Sequence, residues 1–274
     1  MSDGRPIGVF DSGLGGLTVV HQLMSLLPHE RILYLGDSAR YPYGNRSDET
    51  IKLFGRQDAT FLTRRDVKML VVACNTASAV ALEDVRKQAP EMPVIGVVIP
   101  GARAAVSRTA EKKVGVIGTH ATVRTEAYTR AIHNLDSHIK VFGRACPLFV
   151  PLVEEGMLEH DVTRMTAQYY LYELVDTGID CLILGCTHYP LLLEVIQATV
   201  GARIEVLDSA LWAAREARDI MKNLNLLAPD GNGGIDKSSF YVTDMPARFE
   251  VQATRFLGRR LPSVEKVPLE ELAP

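Results

Sequence analysis

Short runs of aliphatic and β-branched residues alternate along this chain with longer segments whose apolar residues recur every three or four positions. This alternation predicts strands followed by amphipathic helices, which is typical of a parallel α/β fold. The run MLVVA at 69–73 is apolar throughout, as expected for a strand that helices cover on both faces. The predicted strands are 7–11, 31–36, 68–73, 94–97, 114–118, 138–142, 180–185 and 204–207, and the predicted helices include 16–27, 76–87, 164–175 and 210–224.

Two strand-end motifs occur twice, in the same order. The sequence IGVFDS at 7–12 has the pattern of VGVIGT at 114–119, and VVACNT at 71–76 resembles ILGCTH at 183–188. Equal order and similar spacing predict two similar parallel-sheet α/β lobes. Because ligands bind outside the carboxyl ends of parallel strands, we expect the active site in the cleft between these lobes.

The division of the chain into lobes follows from the position of the repeat. We expect the first lobe to comprise residues 1–97 and 209–274, and the second lobe to comprise residues 98–208. The sequence LAPDGNGGIDKSS at 227–239 predicts a flexible loop, since it is rich in Gly, Asp and Ser. No linker divides the chain cleanly, so the second lobe is expected as an insertion into the first.

Composition excludes several classes of protein. The chain has 274 residues, a net charge of −3 and 47% hydrophobic residues, so it carries no electrostatic footprint for nucleic acid. It shows neither a secretory signal nor an apolar stretch long enough to span a bilayer. We therefore expect a cytoplasmic protein that acts on a small molecule, with its four cysteines present as thiols.

Two of the cysteines occupy corresponding positions of the repeat. Cys74 and Cys186 each follow an apolar strand and precede a segment that opens a helix. A helix N-terminus stabilises a thiolate through its unpaired amides and its dipole. Cys181 lies near the start of a strand and Cys146 precedes a proline, so both are interpreted as structural.

Two thiols that face each other across a cleft suit the inversion of a carbon centre. Inversion removes a proton from one face of the α-carbon and returns a proton to the other face, and two groups on opposite sides can do both. The base must be close, aimed and shielded from water, because the α-hydrogen of an amino acid is a very weak acid. The sequence thus favours a racemase in which Cys74 and Cys186 exchange the roles of thiolate and thiol.

Other polar residues lie close to these strand ends. Asp11 opens a glycine-containing loop, and it either orients a cysteine, accepts a proton, holds a substrate ammonium group or caps the following helix. His188 is a candidate acid, substrate ligand or thiolate partner. Tyr43 lies in a turn and contacts either ligand or solvent, and Glu154 is either a solvated helix end or a contact for an ammonium group.

Several alternatives remain open at the level of the residues. Gly13 and Gly15, with Asp37 after the next strand, partly match the dinucleotide fingerprint, although Thr18 stands where the third glycine belongs. A metal site formed by Cys186, His188 and Asp11 has no support from ligand spacing. No lysine falls in the strand-end motifs, which disfavours a pyridoxal enzyme.

Two further functions compete with a racemase. A cysteine hydrolase or amidase would use Cys186 as nucleophile with His188 as its base, and it would not need Cys74. A two-lobed protein that binds an acidic amino acid without turnover would need neither cysteine.

Four segments together resemble the bacterial glutamate racemases, which belong to the aspartate/glutamate racemase family. They are DSGLGGLTV at 11–19, YPYGNRS at 41–47, VVACNTASA at 71–79 and LGCTHYPLL at 184–192. The likeness extends from residue 7 to about residue 210, and the order of the motifs agrees.

The resemblance implies two α/β lobes, no cofactor, no metal and a catalytic pair formed by Cys74 and Cys186. It implies a homodimer that supplies D-glutamate for peptidoglycan, and it favours glutamate because related aspartate racemases usually carry Glu where His188 stands. Asp11, Glu154 and His188 match the auxiliary polar residues of the family. The positions that match its substrate-binding residues are Asp11, Ser12, Tyr43, Gly44, Asn75, Thr76, Thr187 and His188.

Overall fold

The computed structural model describes residues 2–273 and contains two parallel β-sheets with helices packed around them. The predicted fold class, two parallel-sheet α/β lobes, is confirmed. The strands are β1 (Ile7–Asp11), β2 (Ile32–Gly36), β3 (Met69–Val72), β4 (Val94–Gly96), β5 (Lys113–Gly118), β6 (Lys140–Ala145), β7 (Cys181–Gly185), β8 (Glu205–Asp208), β9 (Ser239–Val242) and β10 (Glu265–Lys266).

The helices lie between and after these strands. They are α1 (Leu17–Leu26), α2 (Asp48–Thr63), α3 (Asn75–Val80), α4 (Leu82–Gln88), α5 (Val98–Arg108), α6 (His120–Arg124), α7 (Ala127–His133), α8 (Phe149–Glu154), α9 (Asp161–Asp176), α10 (Leu193–Val200), α11 (Ser209–Asn223) and α12 (Pro246–Leu257). Short 3₁₀ turns occur at Tyr43–Asn45, Tyr189–Leu192, Gly234–Lys237 and Leu269–Leu272.

The first sheet has six strands in the order β10-β9-β2-β1-β3-β4, and the second has four in the order β6-β5-β7-β8. The two repeated motifs occupy neighbouring strands at the centre of each sheet. Val9 of β1 pairs with Val71 of β3, and the corresponding residues Val116 and Ile183 pair in the same register between β5 and β7. The sequence repeat therefore matches a repeat in the pairing of strands.

Each predicted strand overlaps an observed one, with differences at the ends. The largest shift is at β6, predicted at 138–142 and observed at Lys140–Ala145. This strand lies at the edge of the second sheet and is only partly buried, so it has no continuous apolar run to mark its ends. The predicted helix 76–87 is divided into α3 and α4 at Ala81, whose ψ of 1° interrupts the helix.

The C-terminal region differs most from the sequence prediction. The segment predicted as a loop at 227–239 contains a 3₁₀ turn at Gly234–Lys237, and β9 begins at its end. Strand β9 pairs with β2, so the chain returns to the first sheet after α11, as expected. The strands of the second sheet lie between residues 113 and 208, but the lobe boundaries at 97/98 and 208/209 stay a prediction.

The alternation of side chains along the central strands divides the core of the first sheet into two layers. Ile7 and Val9 belong to the cluster that contains α1 and α11, whereas Phe10 and Val72 belong to the cluster with α2 and α4. Helix α11 packs between α1 and α5, and α5 also contacts β7 and β8. These two helices connect the sheets and fix their carboxyl ends relative to each other.

Across residues 2–273, no helix is both long enough and apolar enough to cross a membrane.

A buried ion pair stabilises the start of β3. The Lys68 Nζ lies 2.6 Å from the Glu30 Oε2 and donates to the Asp3 carbonyl, while the other Glu30 oxygen accepts the Ala228 amide. We expect Lys68→Met to lower the free energy of unfolding by about 3–5 kcal/mol, because it leaves the Glu30 carboxylate buried without a cation. Denaturant unfolding followed by circular dichroism measures this change.

The exposed pair Arg86–Glu83 provides the matched control for that experiment. Arg86→Met should change the free energy of unfolding by less than about 0.5 kcal/mol, since solvent screens the pair. Equal stability of Lys68→Met and the parent protein would contradict the importance of the buried pair.

Candidate active site

A cavity of about 270 Å³ lies where the carboxyl ends of β1 and β3 face those of β5 and β7. Its size suits a small molecule, and it is smaller than most pockets that hold drug-sized ligands. Nine of the residues predicted from sequence line it: Ser12, Tyr43, Gly44, Cys74, Asn75, Thr76, Cys186, Thr187 and His188. Residues from both sheets therefore form one site.

Cys74 is the N-cap residue of α3. Its Sγ accepts the Ala77 amide at 3.4 Å, as predicted for a thiol at a helix N-terminus. The Ser12 hydroxyl, at the end of β1, lies 3.7 Å from the same sulfur. These polar groups surround the thiol on the side of the first sheet.

Cys186 has a different environment. It follows β7 and precedes a 3₁₀ turn at Tyr189–Leu192, where the sequence predicts a helix start like that after Cys74. Its Sγ lies 4.0 Å from the His188 Nδ1, and the His188 amide also donates to it. The His188 imidazole therefore lies beside the Cys186 sulfur, whereas an amide of helix α3 lies beside the Cys74 sulfur.

Burial is the largest influence on both thiols. It raises the pKa of Cys74 to about 12, with a further increase from the nearby Asp11 charge, and the amide and hydroxyl donors only partly offset this. Burial also raises the pKa of Cys186, as do the charges of Cys74, Asp11 and Glu154. Desolvation of the thiolate thus outweighs the helix N-terminus at Cys74 and the His188 amide at Cys186, so burial favours the thiol form of both cysteines.

Asp11 is fully buried and lies behind the cavity wall. Its carboxylate accepts the Gly13 amide at 2.9 Å and the Thr187 hydroxyl at 3.4 Å. Burial raises the pKa of Asp11, although the His188 charge and the loop amides of Gly13 and Gly16 oppose the rise. Gly16, and not Asp11, is the N-cap residue of α1, so the carboxylate orders the loop before the helix.

His188 connects Cys186 to an acidic residue outside the main cavity. Its Nε2 lies 3.1 Å from the Glu154 Oε1, while its Nδ1 faces the cysteine. Burial acts to raise the pKa of Glu154, but hydrogen bonds from His188 and Tyr41 and the Arg248 charge hold it below its ordinary value. Glu154 therefore stays ionised and can orient or stabilise a protonated imidazole.

A buried network fixes the loop after β2. The Tyr43 hydroxyl donates to Asp58 at 2.8 Å and also bonds Asp37, and Arg40 pairs with both carboxylates. Burial and the Asp37 charge raise the pKa of Asp58 well above its ordinary value. The Tyr43 hydroxyl is thus committed to the protein, and its ring, with the backbone of Gly44, is what faces the cavity.

Asn75 is also committed to structural contacts. Its side-chain oxygen accepts the Tyr128 hydroxyl at 2.6 Å, and its amide nitrogen lies 3.4 Å from the Ser209 hydroxyl. Its backbone N–H, at the first turn of α3, has no partner within the helix. The neighbouring Thr76 hydroxyl lies 3.0 Å from that of Thr119, which joins the two sheets across the cavity.

Sequence reasoning missed part of the cavity wall. Thr119 occupies the position of the repeat that corresponds to Ser12, so the repeat itself contained this signal. Tyr41 belongs to the quoted segment YPYGNRS at 41–47, but nothing in the sequence assigned a role to it. The other lining residues that were missed are Pro42, Asn45, His120, Pro147, Val150 and Pro151.

A second cavity of about 220 Å³ adjoins the first, and Tyr41 and Glu154 contribute to its wall together with α12. Within residues 2–273, no group of three or more His, Cys, Asp and Glu side chains is arranged to hold a metal ion. This applies to Cys186, His188 and Asp11, which the sequence allowed as ligands.

The chain is similar in sequence and in fold to known proteins of one family. The model of a family described as Asp/Glu/hydantoin racemase matches residues 17–217. A glutamate racemase of Syntrophus aciditrophicus is 50% identical over 97% of both chains. Among solved structures, a glutamate racemase of Bacillus anthracis superposes with a TM-score of 0.92 at 41% identity, covering 97% of this chain and 98% of its own.

A second solved structure is that of the Francisella tularensis glutamate racemase in complex with D-glutamate. It has a TM-score of 0.91 at 40% identity and covers 98% of this chain and 99% of its own.

The raised pKa of Cys74 has a direct chemical consequence. At pH 8 we expect iodoacetamide to alkylate Cys74 roughly a thousandfold more slowly than glutathione, because only a thiolate reacts. The rate should keep rising as the pH approaches the pKa of about 12. Peptide mass spectrometry after timed labelling measures it.

Glutathione, whose thiol is fully solvated, is the reference in that experiment. A Cys74 alkylation rate that levels off below pH 9 would mean that the thiol is already ionised there. The expectation that burial raises the pKa of Cys74 would then be wrong.

Proposed function

This chain belongs to the Asp/Glu/hydantoin racemase family and is an amino acid racemase, and from that premise we propose that it interconverts L- and D-glutamate. In the proposed reaction an α-proton passes between Cys74 and Cys186 without a cofactor. The observation that carries the proposal is that both buried thiols line one cavity between the two sheets.

Support for glutamate as the substrate comes from the relatives. The Geobacter metallireducens protein, 47% identical over 97% of both chains, is named a glutamate racemase, and the solved Francisella tularensis relative has D-glutamate bound. His188 supports the same choice, because the resemblance implies Glu at this position in aspartate racemases.

The reaction starts once one thiol is ionised. At Cys186 the thiol proton passes to the His188 Nδ1, and the substrate ammonium group stabilises the thiolate where it lies nearer the sulfur than the two substrate carboxylates do. The thiolate takes the α-hydrogen as a proton, and the electron pair of the C–H bond remains on the α-carbon and its carboxylate. The opposite thiol then donates its proton to the other face, so the product is inverted and the thiolate has changed sides.

The groups behind the cysteines reset and orient them. We assign Asp11 to the Cys74 side, where its charge raises the pKa of the thiol. We assign His188 with Glu154 to the Cys186 side. His188 can accept the thiol proton at Nδ1 and return it when the reaction runs in the other direction. Glu154 stabilises the imidazolium form.

Substrate binding is assigned to the donors that remain free. Backbone amides at the start of α3 and around Gly44, with the Ser12 hydroxyl, can hold the two carboxylates. The Thr76 and Thr187 hydroxyls can join them by exchanging their present partners Thr119 and Asp11. Tyr43 and Asn75 act through their backbone and shape, since their side-chain polar atoms have partners in the protein.

The cellular setting follows from the proposed reaction and the family resemblance. The product, D-glutamate, would serve peptidoglycan synthesis, and the enzyme would act in the cytoplasm as a homodimer. These remain proposals.

Loss of either thiol tests the mechanism. We expect Cys74→Ser and Cys186→Ser each to reduce racemisation by about 10²–10⁴-fold, the usual contribution of a general acid–base group. Circular dichroism of L-glutamate solutions in D₂O, with NMR detection of deuterium at Cα, measures both inversion and exchange.

Cys181→Ser is the matched control, because Cys181 is a buried thiol at the opposite end of β7. It should racemise like the parent protein. A Cys74→Ser variant that racemises glutamate at the parental rate would rule out the two-thiol mechanism.

Gly15 tests the alignment of the second sheet's residues. A Cβ at this position would lie 2.1 Å from the Thr187 Oγ1 and 2.6 Å from the His188 Nδ1. We expect Gly15→Ala to lower kcat/KM by about 10²-fold, because displacements of about 1 Å have effects of this size.

Gly4→Ala serves as the control for Gly15→Ala, since its new Cβ would meet only the end of the Asn232 side chain at 3.2 Å. Unchanged kinetics in Gly15→Ala would show that Thr187 and His188 need not hold these positions.

A further inference from the structure

Tyr41 occupies a position between the two cavities. Its side chain contributes to the wall of the main cavity and to that of the second cavity. The ring packs closely over Gly13, where a Cβ would lie 3.3 Å from the Tyr41 Cδ2. The ring therefore has a fixed location next to the reaction site.

The imidazole of His188 is enclosed by two aromatic rings. Tyr41 stacks on it with centroids 6.3 Å apart at 30°, and Phe256 of α12 meets it edge-on at 5.3 Å and 86°. These contacts fix the plane of the imidazole. Its Nε2 then points to the Glu154 carboxylate at 3.1 Å.

Two polar groups face the Glu154 carboxylate. The His188 Nε2 lies 3.1 Å from it, and the Tyr41 hydroxyl lies near it, where Tyr41 and Glu154 both line the second cavity. The Glu154 carbonyl is held independently by Arg255 at 2.8 Å and Gln252 at 3.3 Å, both from α12. Since the backbone is clamped elsewhere, the Tyr41 hydroxyl acts on the orientation of the carboxylate itself.

This arrangement selects one form of the imidazole. A proton on Nε2 that is donated to Glu154 leaves Nδ1 as an acceptor that faces the Cys186 sulfur at 4.0 Å. We propose that Tyr41 is a positioning residue for Cys186, because its ring orients His188 and its hydroxyl orients Glu154. This inference rests on the proposed racemase function and adds a residue that acts through the His188–Glu154 pair.

The two parts of the tyrosine can be tested separately. Tyr41→Phe keeps the ring and removes the hydroxyl, whereas Tyr41→Ala removes both. In Tyr41→Phe we expect kcat to fall about tenfold and KM for glutamate to stay within about twofold, because Glu154 does not line the substrate cavity. In Tyr41→Ala the loss should be larger, so that phenylalanine partly rescues the alanine variant.

The pH profile distinguishes a positioning role from a structural one. The charged and titratable groups around Glu154 are His188, Tyr41, Arg248, the Cys186 thiol and Arg255, which binds the Glu154 carbonyl. Tyr41 is a donor that lowers the pKa of Glu154, so its removal raises that pKa. The acid limb of kcat/KM should therefore move to higher pH in Tyr41→Phe, equally in both directions of the reaction because L- and D-glutamate have equal free energies.

A second measurement does not depend on turnover. The δ-carboxyl ¹³C resonance of Glu154, assigned by comparison with Glu154→Gln, reports the titration of this group directly. Its midpoint should lie at higher pH in Tyr41→Phe than in the parent protein. Tyr172→Phe, at an exposed tyrosine of α9, is the matched control and should change neither the midpoint nor the kinetics.

The outcomes separate the two proposals. If the parent protein does not racemise glutamate, the proposed function is wrong, and the ¹³C titration alone decides whether Tyr41 acts on Glu154. If the parent is active and Tyr41→Phe keeps its kcat, its pH profile and the Glu154 midpoint, the role of Tyr41 is overturned. A fall in kcat with an unmoved pH profile and midpoint would also overturn it, since lost stability would then suffice.

Discussion

Burial of ionisable groups between the two sheets is the constraint on which the site depends. The ends of four parallel strands meet there, so the ionisable groups among them lose much of their hydration. Desolvation is the main reason that the pKa values of Cys74, Cys186 and Asp11 are raised. The same burial strengthens each interaction with a bound amino acid, because charges act over a low dielectric. Because their pKa values are raised, both cysteines are expected to be neutral thiols in the free enzyme.

The cavity is enclosed by hydrogen bonds between the two sheets as well as by packing. Thr18, at the start of α1, donates to the Thr187 carbonyl at 3.0 Å, and Thr76 contacts Thr119 on the opposite side. These neutral bonds add no charge to the site. They join the segments that carry the two cysteines, while α5 and α11 pack against the sheets behind them. The separation of the thiols is thus set by the fold and not by the ligand.

Sequence patterns could predict the parts of the site that repeat. The central strands are apolar on both faces and the cysteines end them, so the fold class and the positions of Cys74 and Cys186 followed from local pattern. Helix α12 could not be placed in this way, because nothing in its amphipathic sequence indicates that it packs against α8 near Glu154. The side chain of Asn75 was also beyond prediction, since its partner Tyr128 is distant in sequence. Finally, the burial of the two thiols could not be predicted, because it arises only when both sheets assemble around the cavity.

The repeat also shows where the two halves differ. Asp11 in the first sheet corresponds to Gly118 in the second, and His188 in the second corresponds to Thr76 in the first. Each repeated pair of motifs therefore carries one auxiliary ionisable group, Asp11 in the first half and His188 in the second, and only His188 has a further acidic partner, Glu154. Racemisation has an equilibrium constant of one, so kcat/KM must be equal in both directions whatever these groups do. Under the proposed mechanism, the difference between these groups instead determines which thiol is more easily ionised when substrate binds. It therefore determines which enantiomer has its α-hydrogen facing a thiolate.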